Sequence, residues 1–216
     1  MAGHVSEAVI RRLPGYYRHL CELEAAGMTQ ISSQELGRRM RLTPSQIRQD
    51  INCFGGFGRQ GYGYQVSELK AHIGDILGLG EKRYVIIIGA GNIGSAVAQY
   101  PAFVQEGFET VALFDVAAEK IGARVGEIPV RGMDALEDFL REHPIDIAVL
   151  ATPAACAQDT LGRLYAGGIR AVWNFAPVDL RHPDDMAVVN VHLSDSLQIL
   201  SYKMRHQDRA QPEANA

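Results

Sequence analysis

The chain has 216 residues, 47% of them hydrophobic, which is enough for one or two domains with packed cores. No signal-peptide pattern and no apolar stretch of membrane-spanning length occurs, so we expect a cytoplasmic protein without membrane contact. The three cysteines (Cys21, Cys53 and Cys156) lack CxxC or metal-ligand spacing. Their odd number argues against a disulfide framework. We expect three buried thiols and no metal site.

The formal net charge of −4 is unevenly distributed. Residues 1–80 contain nine Arg/Lys and seven Asp/Glu, whereas residues 81–216 contain twelve and eighteen. Five arginines within residues 36–64 face a single acid, Asp50. A basic segment in an otherwise acidic chain favours a polyanionic partner such as nucleic acid, with a solvated charged face as the alternative.

The first predicted helix runs from Pro14 to about Ala26, because Pro14 suits a first helical turn and Gly27 follows as a terminator. Tyr17, Leu20, Cys21 and Glu24 recur at helical spacing, which predicts that their face is mostly buried.

Two capping signatures follow and predict a helix-turn-helix. Ser32 to Glu35 forms a capping box that begins a short helix, Ser33 to Met40. Thr43-Pro44 begins a second helix that extends to about Phe54. Two short helices joined by a turn of a few residues form a helix-turn-helix, with an ordinary helical hairpin as the alternative.

The second helix has the composition of a DNA-recognition helix. Ile47 and Ile51 are four residues apart and are expected to face the core. The outward positions near its N-terminus are Ser45, Gln46, Arg48 and Gln49. Arg and Gln side chains suit paired hydrogen bonds to guanine and adenine in the major groove.

Residues 55–64 contain five glycines among aromatic residues. This segment predicts the hairpin wing of a winged helix, with a flexible loop as the alternative. Arg59 and Gln60 occupy its tip, where they would contact phosphates or the minor groove. A helix from Val66 to Leu77 and a Gly78–Gly80 linker complete a predicted DNA-binding domain over residues 1–79.

A glycine motif organises the second half of the chain. The run of β-branched residues from Val85 to Ile88 predicts a parallel strand buried on both faces. Gly89, Gly91 and Gly94 form G-x-G-x-x-G directly after it, and Ser95 to Val104 predicts a helix. This arrangement lets the strand turn sharply, a pyrophosphate approach the backbone, and the helix pack against the strand.

A second strand, Val111 to Phe114, ends in Asp115, which lies 21 residues beyond Gly94. A carboxylate at this spacing accepts hydrogen bonds from the adenosine ribose and repels a 2′-phosphate. Val116 and Ala117 follow, so no arginine is placed there to hold such a phosphate. The pattern favours NAD(H) over NADP(H), with an ordinary α/β turn as the alternative.

The alternation of strands and helices continues to residue 193 and predicts an α/β Rossmann-like domain over residues 80–193. Its further strands are predicted at Ile128–Val130, Asp146–Ala151, Ala171–Asn174 and Val188–Val191, and its helices at Asp134–Glu142 and Ala155–Tyr165. Two loops, Thr152-Pro153-Ala154 and Phe175-Ala176-Pro177, leave strand ends where open α/β sheets bind ligands.

A final helix over residues 194–205 carries apolar Leu197, Ile199, Leu200 and Met204 beyond a complete Rossmann unit. A helix with no place in its own domain is often exchanged with a partner subunit, and winged helices usually bind two-fold sites. We therefore predict a homodimer with a domain-swapped C-terminal helix. Residues 206–216 are polar and are expected to be disordered.

Taken together, these motifs resemble the Rex family of bacterial redox-sensing transcriptional repressors over residues 5–205. The stretches that carry the resemblance are R-R-L-P-G-Y-Y-R (11–18), I-S-S-Q-E-L-G (31–37), Q-I-R-Q-D (46–50), F-G-G-F-G-R-Q-G-Y-G-Y (54–64), G-A-G-N-I-G (89–94), Y-P-A-F (100–103), F-D (114–115) and N-F-A-P-V (174–178).

The resemblance implies a homodimer that binds palindromic operator DNA when it holds NAD+ or no cofactor. NADH releases it through rotation of its two subunits. The implied cofactor-binding residues are Gly89, Ala90, Gly91, Asn92, Ile93, Gly94, Asp115, Val116, Thr152, Pro153, Ala154, Asn174, Phe175, Ala176 and Pro177. Arg18 and Tyr100 resemble the family's switch contacts. Gln49 stands where many relatives have Lys. His192-Leu193 stands where some relatives have an acid followed by Phe, so His192 is expected to affect the switch.

The main alternative is an NAD-dependent oxidoreductase with an accessory helix-turn-helix. The Rossmann unit leaves no room for a substrate domain, and no Tyr-x-x-x-Lys pair occurs. We therefore expect a sensor without catalytic residues. A nucleotide-binding module whose helix-turn-helix contacts protein is a third interpretation, which Arg59 in the predicted wing disfavours.

Overall fold

The computed structural model describes residues 5–55 and 63–207 of the chain. The chain divides into two compact units, residues 1–81 and residues 82–216, and each has its own hydrophobic core. No helix in the described ranges is long and apolar enough to cross a membrane.

The first unit is a small helical domain with one two-stranded sheet. Its elements are α1 (Glu7–Ile10), α2 (Leu13–Ala25), β1 (Gln30–Ile31), α3 (Ser33–Met40), α4 (Pro44–Asn52), β2 (Tyr64–Gln65) and α5 (Val66–Ile76).

The helix-turn-helix forms as its capping residues predict. The Ser32 side chain accepts a hydrogen bond from Glu35 N at 3.1 Å, and the Thr43 side chain accepts one from Gln46 N at 3.2 Å. Between α3 and α4, Arg41 adopts a left-handed conformation with φ of 57°. These caps set the beginning of each helix, because they satisfy N–H groups that lack partners within the helix.

The core of the first unit differs from the predicted face of α2. Its buried positions are Leu13, Tyr16, Leu20 and Leu23, whereas Glu24 is exposed and pairs with Lys70 of α5. Tyr17 and Cys21 are half-buried at the margin. The prediction was wrong because α5 and α3 both pack against α2, and their positions decide which face of α2 is buried. Ile47 and Ile51 of α4 are buried, as expected.

Strands β1 and β2 pair antiparallel, with Ile31 opposite Tyr64. Gly63 precedes β2 with φ of +77°, and a Cβ there would lie 2.4 Å from Ile31 O. Only glycine is therefore tolerated where the chain enters the strand. The predicted wing tip, with Arg59 and Gln60, lies outside the described residues.

The second unit is an α/β domain. Its elements are β3 (Arg83–Ile88), α6 (Asn92–Ala98), α7 (Pro101–Gln105), β4 (Phe108–Asp115), β5 (Arg124–Val125), β6 (Ile128–Gly132), a 3-10 turn (Met133–Ala135), α8 (Leu136–Glu142), β7 (Ile147–Leu150), α9 (Ala154–Ala166), β8 (Ala171–Asn174), β9 (Ala187–Asn190) and α10 (Leu193–Gln207).

The sheet of the second unit has the strand order β5-β6-β4-β3-β7-β8-β9. All neighbouring pairs are parallel except β5 with β6. The chain starts in the middle of the sheet at β3, adds strands on one side, and then returns to add β7 on the other. The crevice at such a reversal, outside the carboxyl ends of the strands, is where doubly wound α/β proteins bind ligands.

Side chains of β3 alternate between two apolar layers. Ile86 and Ile88 pack with residues of α8 and α9 on one face, and Val85 and Ile87 pack with α6 on the other. The strand is buried on both faces, which explains its unbroken β-branched sequence.

The predicted helix over residues 95–104 is two helices. It breaks at Tyr100, which has extended backbone with ψ of 111°, and α7 begins with Pro101. Proline has no N–H to continue the helix and disfavours helical conformation in the residue before it. The break turns the aromatic side chains of Tyr100 and Phe103 against each other, with ring centroids 4.8 Å apart.

Candidate functional site

The glycine turn after β3 has three different constraints at its three glycines. Gly89 has φ of +103°, and a Cβ there would lie 2.4 Å from Ala151 O. A Cβ on Gly94 would lie 1.9 Å from Gly89 O, so α6 and β3 touch through backbone. Gly91 faces open space, with no atom within 4 Å of the Cβ position. Side chains are therefore excluded at Gly89 and Gly94, whereas the backbone at Gly91 faces open space. A phosphate group can approach the backbone closely only at such an open position.

Asp115 ends the neighbouring strand β4 and points toward the same turn. Its Oδ2 accepts a hydrogen bond from Ala90 N at 2.8 Å, and its Oδ1 accepts one from Ala117 N at 2.9 Å. Burial by itself raises the pKa of Asp115, but the hydrogen bonds from Ala117 N and Lys120 outweigh it and bring the pKa below its ordinary value. The carboxylate is therefore ionised and held rigidly at the strand end.

A cavity of about 620 Å³ opens over these strand ends. Six of its lining residues are among those predicted to bind the cofactor: Gly89, Gly91, Asp115, Val116, Thr152 and Pro153. It is also lined by Ile88, Phe114, Lys120, Met133, Ala151, Cys156, Asp159, Thr160 and Arg163. The volume and the position between β3, β4 and β7 suit the adenosine half of a dinucleotide.

Two observations show that the cavity walls fit a polar ligand with an apolar ring. Thr152 Oγ1 is buried and has no hydrogen-bond partner among the described residues. Val116, another residue that lines the cavity, is 82% exposed. A flat base beside Val116 would cover this exposed apolar side chain. A ribose near Asp115 would offer hydrogen-bond partners to the polar groups of the cavity wall.

Sequence reasoning missed Lys120 and misplaced Cys156. Lys120 Nζ lies 3.1 Å from Asp115 Oδ2, within the cavity wall. Its spacing of five residues from Asp115 in an irregular segment gave no signal. Cys156 is exposed on the wall rather than buried, Cys53 is also exposed, and Cys21 is intermediate. Cys156 lies in the first turn of α9 and lines the cavity.

The other predicted cofactor residues do not line this cavity. Ala90 contributes its backbone N–H to Asp115, and Asn92, Ile93 and Gly94 form the first turn of α6. Asn174 is fully buried: its Nδ2 donates to Val178 O and Asn190 Oδ1, and its Oδ1 accepts from Ala176 N. Asn174 therefore fixes the loop 175–178 from beneath and leaves no side-chain surface for a ligand.

The loop that Asn174 supports has mixed exposure. Ala176 is buried, Phe175 is half-buried and Pro177 is exposed. Phe175 stacks edge-on against Trp173 with ring centroids 4.5 Å apart. Ala154 begins α9 and is exposed.

The predicted switch residues lie at exposed or half-exposed positions of their own units. Arg18 is exposed on α2 of the first unit, and Tyr100 is 55% exposed between α6 and α7 of the second. His192 directly precedes α10, and its Nε2 lies 3.0 Å from Asp179 Oδ1. His192 therefore has an acidic partner within its own unit, which the sequence did not indicate.

On the first unit, α4 presents three of the four predicted DNA-contacting residues at the surface. Ser45, Arg48 and Gln49 are exposed, whereas Gln46 is half-buried. Arg48 donates to Ser33 Oγ at 3.0 Å and to Ser45 Oγ at 3.3 Å, so its guanidinium links the N-terminal turns of α3 and α4.

Beneath this surface lies an ionic cluster around Asp50, which is 1% exposed. Arg12 Nε lies 2.6 Å from Asp50 Oδ2, and Tyr16 Oη donates to the same oxygen at 2.9 Å. Gln46 Nε2 donates to Asp50 Oδ1 at 2.7 Å. Burial opposes ionisation of Asp50, yet the Arg12, Gln46 and Tyr16 hydrogen bonds leave its pKa below the ordinary value. The single acid of the basic segment is therefore internally neutralised.

Fold and sites together define a class of protein in which a helix-turn-helix unit is joined to a Rossmann-type nucleotide-binding unit. Two family models match the chain: "Putative DNA-binding protein N-terminus" over residues 4–52 and "CoA binding domain" over residues 80–178. The first match lies within the first structural unit, and the second begins two residues before the second unit and otherwise lies within it. Among the described residues, no cluster of His, Cys, Asp or Glu suits a metal ion.

Close relatives share one description, redox-sensing transcriptional repressor Rex. The relative from Thermoanaerobacter sp. (strain X514) is 48% identical over 204 residues, which cover 94% of this chain and 91% of the relative. The relative from Clostridium perfringens (strain SM101 / Type A) is 47% identical over 204 residues, covering 94% and 96%. The chain belongs to the Rex family of redox-sensing transcriptional repressors.

Two solved structures are similar to nearly the whole chain. A crystal structure of RSP in complex with beta-NAD+ and operator DNA has a TM-score of 0.90 and 46% identity, covering 99% of this chain and 100% of RSP. A structure of RSP in complex with beta-NADH has a TM-score of 0.89 and 44% identity, covering 97% and 98%. The expected combination of a winged helix-turn-helix with a Rossmann-like domain is confirmed as the fold class.

Proposed function

We propose that this protein represses transcription by binding a palindromic operator as a homodimer, and that NADH releases it. The observation that carries the proposal is the pairing of two features in one chain. The second unit has an open glycine turn beside an ionised Asp115, and the first has a capped recognition helix with Arg48 and Gln49 exposed. RSP, of the same family and nearly the same length, has been crystallised with NAD+ and operator DNA and with NADH.

The adenosine half of the cofactor is assigned to the cavity at Asp115. Asp115 would accept hydrogen bonds from the ribose, Val116 would contact adenine, and the open backbone at Gly91 would admit the pyrophosphate. The nicotinamide half is assigned to the loops 152–154 and 175–177, with Asn174 holding the second loop in place.

The switch requires the two cofactor forms to bind differently, because a ligand shifts an equilibrium only by its difference in affinity for the two states. NAD+ and NADH differ at the nicotinamide ring, which is cationic in one and neutral in the other. Apolar Phe175 and Pro177, on the loop that buried Ala176 anchors, would accept the neutral ring and resist burial of the cation. A hundredfold difference in affinity corresponds to about 2.7 kcal/mol. Arg18, Tyr100 and His192 are proposed to carry this change between the units.

The homodimer is supported by unpartnered apolar surfaces of the second unit. Every residue of α10 from 193 to 206 is exposed in the single chain. Leu193, Leu197, Leu200 and Met204 recur at helical spacing and form one apolar stripe. The sheet face beneath α6 and α7 holds an apolar cavity of about 280 Å³ beside Phe103 and Trp173. Exchange of α10 between subunits would cover both surfaces.

A repressor acts on DNA, so the cytoplasm of the bacterial cell is its proposed location. Catalysis is not proposed: relatives at this identity are regulators, and the described unit around the cavity carries no substrate domain.

The proposal is tested by fluorescence anisotropy of a labelled palindromic operator, titrated with NADH against a fixed background of NAD+. We expect release at low NADH and recovery with excess NAD+. Operator binding that is indifferent to NADH would disprove the switch, and consumption of NADH with turnover would establish an enzyme.

The matched variant is Gly91→Ala, because its added methyl group meets no protein atom within 4 Å. We expect Gly91→Ala to keep wild-type stability and operator binding but to lose its response to NADH, since the methyl group occupies the approach of the pyrophosphate. Retained NADH sensitivity in this variant would place the cofactor elsewhere.

A further inference from the structure

The orientation of a glutamine amide decides which base it can recognise, because the carbonyl oxygen accepts and the NH₂ group donates. At Gln46 the surroundings fix that orientation. The atom facing Asp50 Oδ1 at 2.7 Å must be Nε2, since an ionised carboxylate can only accept. Asp50 cannot rotate away, because Arg12 donates to both of its oxygens and Tyr16 donates to Oδ2.

We propose that Asp50 is a positioning residue for DNA recognition, which orients the Gln46 amide so that its Oε1 faces the amino group of one adenine in each operator half-site. The inference rests on the proposed function, since it assigns a base preference to the recognition helix. Gln46 is the third residue of α4, in the first turn, where recognition helices contact base edges.

The base follows from the hydrogen bonds that remain. One N–H of Gln46 is bonded to Asp50, which leaves Oε1 and the second N–H. Adenine offers an amino group at N6 and an acceptor at N7 in the major groove, so it satisfies both. Cytosine offers an amino group but no acceptor for the second N–H, and guanine and thymine present acceptors that would leave Oε1 facing another oxygen.

Gln49 provides the contrast within the same helix. It is exposed, and its side chain makes no hydrogen bond within the described residues. Its amide is free to turn either way and carries no fixed preference between donor and acceptor groups. Of the two glutamines on α4, only Gln46 is preorganised.

The first test uses wild-type protein and Gln46→Ala with operators in which each adenine is replaced, one at a time, by purine, which lacks the N6 amino group. Affinities are measured by anisotropy at constant salt. At one position per half-site we expect the loss of the amino group to weaken wild-type binding about tenfold and Gln46→Ala binding hardly at all. The inference would be overturned if the affinity difference between wild-type protein and Gln46→Ala depended on a guanine O6, on a thymine O4 or on no base at all.

The second test separates positioning from support of the fold. Asp50→Asn places an amide opposite Gln46 that can donate as well as accept, so the orientation is no longer fixed. Tyr16→Phe removes a hydrogen bond from the other oxygen of Asp50 and serves as the stability control. We expect both variants to melt at lower temperature, but only Asp50→Asn to lose discrimination at the sensitive adenine. An equal loss of affinity across all operators in Asp50→Asn would overturn the positioning role.

The two proposals fail differently. Absence of operator binding by the wild-type protein would overturn the proposed function and this inference together. Operator binding that responds to NADH, without any adenine coupled to Gln46, would overturn this inference alone. If Asp50→Asn does not fold, the Gln46→Ala comparison still decides the orientation.

Discussion

At the scale of single residues, the proposed cofactor site contains an ion pair between Asp115 and Lys120. Asp115 is 8% exposed and receives two backbone N–H groups as well as the ammonium of Lys120. The backbone hydrogen bonds hold the carboxylate without the lysine. Lys120 therefore remains available to interact with a ligand, and it is a cation where the sequence suggested none.

We predict that Asp115→Ser lowers NADH affinity by about tenfold to a hundredfold and raises the relative affinity for NADPH. The carboxylate no longer holds the ribose or repels a 2′-phosphate, and Lys120 then attracts that phosphate. Calorimetric titration with both cofactors measures the change. The double variant Asp115→Ser/Lys120→Ala should lose the gained NADPH affinity, and an unchanged preference for NADH would contradict the assignment.

A second residue-scale prediction concerns acid stability. The pKa of Asp50 lies below its ordinary value in the folded protein, so its ion pair contributes stability that is present at neutral pH. Because the folded pKa is the lower one, this stability is lost as the pH falls below about 4 and through the folded pKa. We expect the free energy of unfolding of the first unit to fall in that range.

Urea denaturation at a series of pH values, followed by circular dichroism, measures the effect. Arg12→Ala should lower the free energy of unfolding at pH 7 by about 3 kcal/mol, because it leaves Asp50 buried without its cation. Trp173 is the single tryptophan of the chain and lies in the second unit, so its fluorescence reports separately on that unit. Equal losses in both transitions would show that the effect is not local to Asp50.

At the scale of elements, the packing of α6 on β3 depends on the absence of one side chain. A Cβ on Gly94 would lie 1.9 Å from Gly89 O and 3.2 Å from Ile87 Cγ2. The obstructing atom belongs to the backbone of the glycine turn, and that turn itself packs against Ala151. Neither the turn nor α6 can therefore move without a loss of packing.

We predict that Gly94→Ala destabilises the second unit by about 2 to 3 kcal/mol, the upper range for forced overpacking. Gly91→Ala, three residues earlier, should leave stability unchanged. Trp173 fluorescence during urea unfolding of both variants gives the comparison. A Gly94→Ala protein with wild-type stability would contradict the prediction. It would mean that α6 can shift away from β3 without lowering the free energy of unfolding.

The break between α6 and α7 shows which local signals decide an element. Apolar residues at helical spacing continue from Ser95 to Val104 and predict one helix, yet Pro101 ends the first helix at Ala98 and begins the next. The proline signal is local and was present in the sequence. It outweighed periodicity because the missing N–H and the restricted residue before proline interrupt the helical hydrogen bonds directly.

At the scale of the whole molecule, α10 is exposed from residue 193 to residue 206, and none of its apolar side chains is buried by the described residues. Six large apolar side chains of this helix are more than half exposed: Leu193, Leu197, Ile199, Leu200, Tyr202 and Met204. An isolated helix of 15 residues is marginal in water, so its stability requires packing against another surface.

We predict that Leu197→Asp/Leu200→Asp converts the protein from dimer to monomer in analytical ultracentrifugation and weakens operator binding at least tenfold, because two half-sites are no longer bound together. Gln198→Glu adds a charge to the side of the same helix that faces away from the apolar stripe, and it should leave the dimer intact. A dimer that survives the double substitution would place the subunit interface elsewhere.

The sequence by itself determined the elements that depend on neighbouring residues. The caps at Ser32 and Thr43, the strand at Val85 to Ile88, the three glycines and the acid at Asp115 each act through contacts within a few residues or through a motif of fixed spacing. Those features were sufficient to predict the fold class and the family. They also placed six of the predicted residues around one cavity.

Only the tertiary structure decided which side chains are committed to internal partners. Asp50 meets Arg12 across 38 residues, Asn174 meets Asn190 across 16, and Lys120 approaches Asp115 through an irregular segment. The exposure of Cys156 and the buried face of α2 likewise depend on elements distant in the chain. Hydrogen bonding and burial between distant residues arise from the packing of whole elements, and no local spacing records them.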